Sequence, residues 1–96
     1  MIKHIVFFSA KHPENIPVIK EAFSKYRDIP SVSKIEVSEN SKRDGLSDDI
    51  DIVLYVEFES VEALEEYKRH PIYKAGTDTV RPLRKLRFVV DFDADD

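Results

Sequence analysis

Chemistry in this 96-residue chain has to come from imidazoles, phenols and charged side chains, because the sequence has no cysteine and only two glycines. Two phenols and an imidazole fall within seven residues, Tyr67-Lys68-Arg69-His70-Pro71-Ile72-Tyr73. A second imidazole, His4, lies in the first apolar run. A neutral imidazole is a base near neutral pH, and a phenol hydrogen-bonds a developing enolate. Rings of these two kinds brought together can carry out a proton abstraction that needs no cofactor. Both residue types also have an ordinary structural use: a core histidine bonded to a phenol or backbone group, and a buried tyrosine contributing ring area. His70 stands at a helix break, where an imidazole caps exposed helical carbonyls.

Other chemistries fit poorly. The histidines have neither His-x-x-x-His spacing nor flanking carboxylates, so no metal site is expected. Asp44, Asp48, Asp49 and Asp51 do not follow the order of a calcium loop. Neither Gly45 nor Gly76 belongs to a phosphate-binding motif, and Ser9 and Ser60 suit turn and cap roles better than nucleophilic attack. No cofactor is expected.

The 19 acidic and 15 basic residues give a formal net charge of -4, which disfavours nucleic acid and anionic membrane surfaces as partners. No apolar run reaches the length of a spanning helix, and the start reads as a strand rather than a signal peptide, so a cytoplasmic protein is expected. A chain of this length makes one domain with a thin core, for which burying a further apolar face against a second copy matters.

Hydrophobic periodicity supplies the elements that must hold His4 and Tyr67. Ile2 to Phe8 is a strand apolar on both faces, with His4, Val6 and Phe8 on one side and Ile5 and Phe7 on the other. Ile16, Ile19, Ala22, Phe23 and Tyr26 recur at helical spacing, and Pro30 ends that helix. Val32 to Val37 reads as an edge strand, followed by a polar loop from Ser38 to Asp49. Ile50 to Phe58 is a strand with one unbroken apolar face. Ser60 is an N-cap for a helix carrying Ala63, Leu64 and Tyr67, which Pro71 breaks and which resumes towards Val80. Leu86 to Phe92 is the last strand, and Leu86, Phe88, Val90 and Phe92 are expected to face the helices. Residues 1–92 then form the domain and 93–96 an acidic tail.

The order is βαββαβ, the ferredoxin-like α+β pattern: a four-stranded antiparallel sheet with both helices on one face. The other face, with Ile5, Phe7, Val53, Tyr55 and Val89, is left uncovered. An apolar patch of that size marks an interface, and facing it against a second copy gives a dimeric α/β barrel.

The start Ile2-Lys3-His4-Ile5-Val6-Phe7-Phe8, the join Tyr55-Val56-Glu57-Phe58-Glu59-Ser60, the corner Tyr67-Lys68-Arg69-His70-Pro71 and the ending Val89-Val90-Asp91-Phe92 together resemble the stress-responsive dimeric α+β barrel family, often called Dabb. The resemblance implies a ferredoxin-like protomer, a homodimer through the open sheet face, and no particular reaction. One plant branch of the family is a cofactor-free polyketide cyclase that uses a first-strand histidine, a tyrosine before His-Pro and a second histidine. His4 and Tyr67 match the first two positions, while the third holds Tyr73, and a phenol of ordinary pKa near 10 is a poor base.

The expectation is a small homodimeric Dabb protein with a cavity between sheet and helices for a small apolar or aromatic ligand. Its rim is His4, Tyr67 and Tyr73, its walls are Val6, Phe8, Phe23 and Leu64, and His70 stands at its corner. Two other readings stand beside it: a cofactor-independent cyclase or isomerase using His4 and Tyr67, and a structural oligomer module whose six phenylalanines fill any cavity.

Overall fold

The computed structural model describes residues 1–95, so Asp96, the last residue of the expected acidic tail, lies outside the described residues. Seven main elements follow in order: β1 (Ile2–Ala10), α1 (Ile16–Ser24), β2 (Lys34–Glu39), β3 (Ile52–Phe58), α2 (Val61–Arg69), α3 (Pro71–Val80) and β4 (Arg84–Asp93). All strand pairs are antiparallel, in the order β2-β3-β1-β4. This is the expected ferredoxin-like sheet, with the second helix in two pieces.

The core lies between one face of the sheet and the helices. Opposite β1, His4 pairs with Val56, Val6 with Leu54 and Phe8 with Ile52, and all six are buried. Ile19 and Phe23 of α1, Leu64 and Tyr67 of α2, and Val80 of α3 close over them. Each fully buried aliphatic or phenylalanine side chain contributes about 1.5–3 kcal/mol, so these layers carry most of the protomer's stability. No helix among the described residues is long and apolar enough to cross a membrane.

The corner between α2 and α3 forms as Pro71 dictates, but His70 acts differently from expectation. Proline at the first helical position holds His70 in extended backbone (φ -72°, ψ 141°). Its Nδ1 accepts a hydrogen bond from the Ile72 N–H (3.1 Å), so the imidazole caps the start of α3 rather than the carbonyls ending α2. A neutral imidazole has one acceptor nitrogen, and the free N–H groups of a new helix are its nearest donors. Ser60 caps α2 as expected, accepting from the Ala63 N–H at 3.1 Å.

Strand β4 corrects the expected interface. Val89 pairs with Val6 and Asp91 with His4, which places both on the helix side, whereas Phe88 pairs with Phe7 and Val90 with Ile5. Val89 therefore leaves the open face, and Phe88, Val90 and Phe92 join it, 56%, 49% and 45% exposed. Alternation sorts a strand into two sets without saying which set faces the core, and both sets of β4 contain apolar residues. A β-bulge adds to the shift: Phe8 pairs with Arg87 but Ala10 with Arg84, so β4 carries one extra residue there. The bulge is fastened by Ser9, whose Oγ accepts from the Leu86 N–H at 3.0 Å, and by Asp51, whose Oδ2 accepts from the Ala10 N–H at 2.8 Å.

Candidate functional site

A cavity of about 280 Å³ lies between the sheet and the helices. β1 contributes His4, Val6 and Phe8, α1 contributes Phe23, and Tyr26 stands in the short turn of 3-10 helix after α1. Tyr67 comes from α2, and Tyr73, Thr77 and Val80 from α3. The structure thus brings together six of the residues expected around a ligand or in catalysis: His4, Val6, Phe8, Phe23, Tyr67 and Tyr73. Two do not join them. Leu64 is buried in the core without lining the cavity, and His70 is occupied as the α3 cap. A wider surface groove of about 620 Å³ between α1 and α3 is lined by residues such as Pro17, Val18 and Ile72, without any of the candidate imidazoles or phenols.

The rings form one packed cluster. Tyr67 meets Phe58 and Tyr73 at centroid distances of 4.9 Å each, Tyr26 at 5.6 Å and His4 at 5.9 Å, mostly edge-on, the arrangement that aligns ring edges with ring faces. The Tyr26 hydroxyl donates to the Tyr73 carbonyl at 3.3 Å and lies 3.5 Å from Thr77 Oγ1. Burial pushes the Tyr26 phenol up to about 12, against the smaller opposing effect of Thr77. The Tyr67 hydroxyl is fully buried and has no hydrogen-bond partner among the described residues. Burial drives its pKa far above the ordinary phenol value, so Tyr67 stays protonated and serves as a donor.

His4 has a partner that the sequence did not reveal. Its Nδ1 donates to Asp91 Oδ1 across the β1–β4 ladder, 87 residues apart in sequence. This fixes the tautomer and leaves Nε2 as the basic nitrogen, the arrangement of a base held by a carboxylate. Burial lowers the His4 pKa below 6.5, and Asp91 opposes that shift. Burial prevails because the imidazole is 2% exposed while the Asp91 carboxylate, on an edge strand, is 39% exposed and screened by water.

A pH dependence follows. The unfolded chain takes up the His4 proton more readily than the folded one, so the associated stability is complete above pH 6.5 and is lost as the pH falls through the lowered folded pKa. Within that window the slope approaches about 1.4 kcal/mol per pH unit at most. Urea midpoints of the wild type should fall from pH 7 to pH 5 more steeply than those of His4→Asn, which does not titrate. Parallel curves, or a wild type gaining stability in acid, would show instead that the ion pair with Asp91 dominates.

Sequence reasoning also missed Tyr26, Thr77, Arg81, Arg84 and Arg87, all of which line the cavity. The run Arg81-Pro82-Leu83-Arg84-Lys85-Leu86-Arg87 was the available signal, a basic stretch in an acidic chain. Among the described residues, no group of three His, Cys, Asp or Glu side chains is placed to hold a metal ion.

Comparison with known proteins places this architecture. No curated protein matches the chain. A solved structure from Bacteroides fragilis, described as a dimeric protein of unknown function with a ferredoxin-like fold, is 26% identical, with a TM-score of 0.80 over 97% of this chain and 95% of that one. A dimeric ferredoxin-like protein of unknown function from Thermobifida fusca is 20% identical, with a TM-score of 0.84 over 97% and 90% of the two chains. A Dabb family protein with a ferredoxin-like fold from Mesorhizobium loti is 21% identical, with a TM-score of 0.78 over 97% and 95%. Residues 2–94 match the family model for the stress responsive A/B barrel domain, and with nearly the whole sequence covered the chain belongs to the Dabb family.

Proposed function

We propose that the protein is a homodimer that binds a small, largely apolar ligand in the cavity between its sheet and helices. The observation that carries this reading is Tyr67, which lines a cavity of about 280 Å³ and whose buried hydroxyl has no hydrogen-bond partner among the described residues. A buried hydroxyl left unpaired costs about 1–3 kcal/mol, a cost that a bound acceptor removes. The volume lies at the lower end of the range for small-molecule sites, so the ligand is a compact one.

Dimerisation is supported by the open sheet face and by the similarly folded proteins from Bacteroides fragilis and Thermobifida fusca, which are described as dimeric. The family description suggests a stress-associated role, and the acidic, cysteine-free composition is consistent with the cytoplasm. An enzyme using His4 and Tyr67 is the less favoured reading. The two rings meet edge-on within a packed ring cluster, and the likeness to dimeric proteins of unknown function supplies no reaction.

Tyr67→Phe tests the ligand site. Because it removes a hydroxyl that bonds nothing among the described residues, stability should be unchanged or raised by up to about 2 kcal/mol. Compounds found by ligand-detected NMR with a panel of small aromatics should bind the wild type and be weakened about tenfold in the variant, the worth of one hydrogen bond. A panel without binders, or a variant that loses more than about 1 kcal/mol of stability, would defeat the reading in favour of a structural tyrosine.

A further inference from the structure

The same cavity is bordered by three guanidinium groups. Arg81 directly follows α3, and Arg84 and Arg87 belong to β4. Residues three apart on a regular strand point to opposite faces. Here the bulge intervenes: Ala10 pairs with Arg84 and Phe8 with Arg87, and since Ala10 and Phe8 share a face, so do the two arginines. Bulges are a common device for re-aiming a side chain at a site.

Among the described residues, no carboxylate lies within ion-pairing distance of any of the three. The carboxylate closest in the β4 pattern, Asp91, is taken by His4. Arg81 alone would be explained by the negative end of the α3 dipole, but Arg84 and Arg87 are not on a helix. Three cations sharing one cavity repel each other, and burial together with Arg87 and Arg81 lowers the Arg84 pKa. In a chain of net charge -4, such a cluster runs against the overall composition.

Resting on the reading of this cavity as a ligand site, we propose that its ligand is a small aromatic monocarboxylate. Its head group is held by Arg84 and Arg87 with Arg81 at the margin, and its ring lies against Phe8, Phe23 and Val80. The guanidinium fork matches a carboxylate in two parallel hydrogen bonds, and a planar body suits a pocket walled by rings.

The test is calorimetric titration of the wild-type protein at pH 8, where His4 is neutral, with 2-naphthoate and its uncharged isostere 2-naphthamide. The carboxylate should bind at least about tenfold more tightly, as charge-assisted bonds require, and the preference should shrink as sodium chloride is raised from about 50 to about 500 mM. In the double variant Arg84→Gln/Arg87→Gln the preference should fall below about twofold with amide affinity unchanged, folding being verified by circular dichroism. Should that variant fail to fold, Arg87→Lys should lower carboxylate affinity alone. Equal binding of both compounds by the wild type would overturn the anion proposal and leave the ligand site standing. If neither binds, both readings fall. A preference that survives the loss of both arginines would also overturn the assignment to them.

Discussion

Phe88→Asp is expected to convert the proposed dimer into monomers at micromolar concentration while the protomer keeps its fold. Phe88 is 56% exposed in the single chain and pairs directly with Phe7 on the open face, next to the Ile5–Val90 pair. In an isologous interface each substitution counts twice. Two phenylalanine rings at about 1.5–3 kcal/mol each, plus the cost of desolvating two carboxylates, raise the dissociation constant by at least two to four powers of ten, roughly. The protomer loses little, since the ring is half exposed to water there. The neighbour makes the control: Val89→Asp puts the same charge on the other side of the strand, 43% exposed, and should leave the dimer intact. Equilibrium sedimentation of the three proteins decides the matter. A monomeric wild type would refute the dimer, and dissociation by the Val89 change without the Phe88 change would refute the register of β4.

That contrast marks where the sequence stops being informative. The core strands β1 and β3 were legible because their buried sets face helices whose own stripes, Ile19 with Phe23 and Leu64 with Tyr67, complete the same core. The α2–α3 corner was legible because proline acts through its own ring, whatever the tertiary setting. β4 was not, because its two sets are both partly apolar and its bulge depends on Ser9 and Asp51, residues far away in sequence. The site divides in the same way. His4, Tyr67 and Tyr73 could be picked out by residue type, but the Asp91 carboxylate that orients His4 and the arginines that border the cavity arrive through β4's register alone. One edge strand therefore determines the make-up of the open sheet face, the histidine partner and the charge of the pocket.

The other large effect is expected from a single methyl group. Gly76 is buried in α3, where a Cβ would lie 2.4 Å from Cε1 and 2.5 Å from the hydroxyl oxygen of Tyr26. Carbon atoms in contact sit about 3.5–4.0 Å apart, so either the ring or the helix must move. The ring is confined on its other sides, by Phe23, Tyr67 and Tyr73 at centroid distances of 5.5, 5.6 and 5.5 Å and by its hydroxyl's bond to the Tyr73 carbonyl, so it can yield only into the cavity it lines. Gly76→Ala gains about 0.8–1.0 kcal/mol of helix propensity, but overpacking the contact between α3 and Tyr26 costs about 1–3 kcal/mol. The clash should prevail, lowering the melting temperature by roughly 4–8 °C for each kcal/mol lost and weakening any ligand that uses the Tyr26 wall. In the Tyr26→Ala background the obstructing ring is gone, and the same substitution should become stabilising by up to about 1 kcal/mol. Urea denaturation of the wild type, both single variants and the double variant reads that reversal of sign directly as a coupling energy. A Gly76→Ala protein more stable than the wild type would show that α3 and Tyr26 do not pack as described.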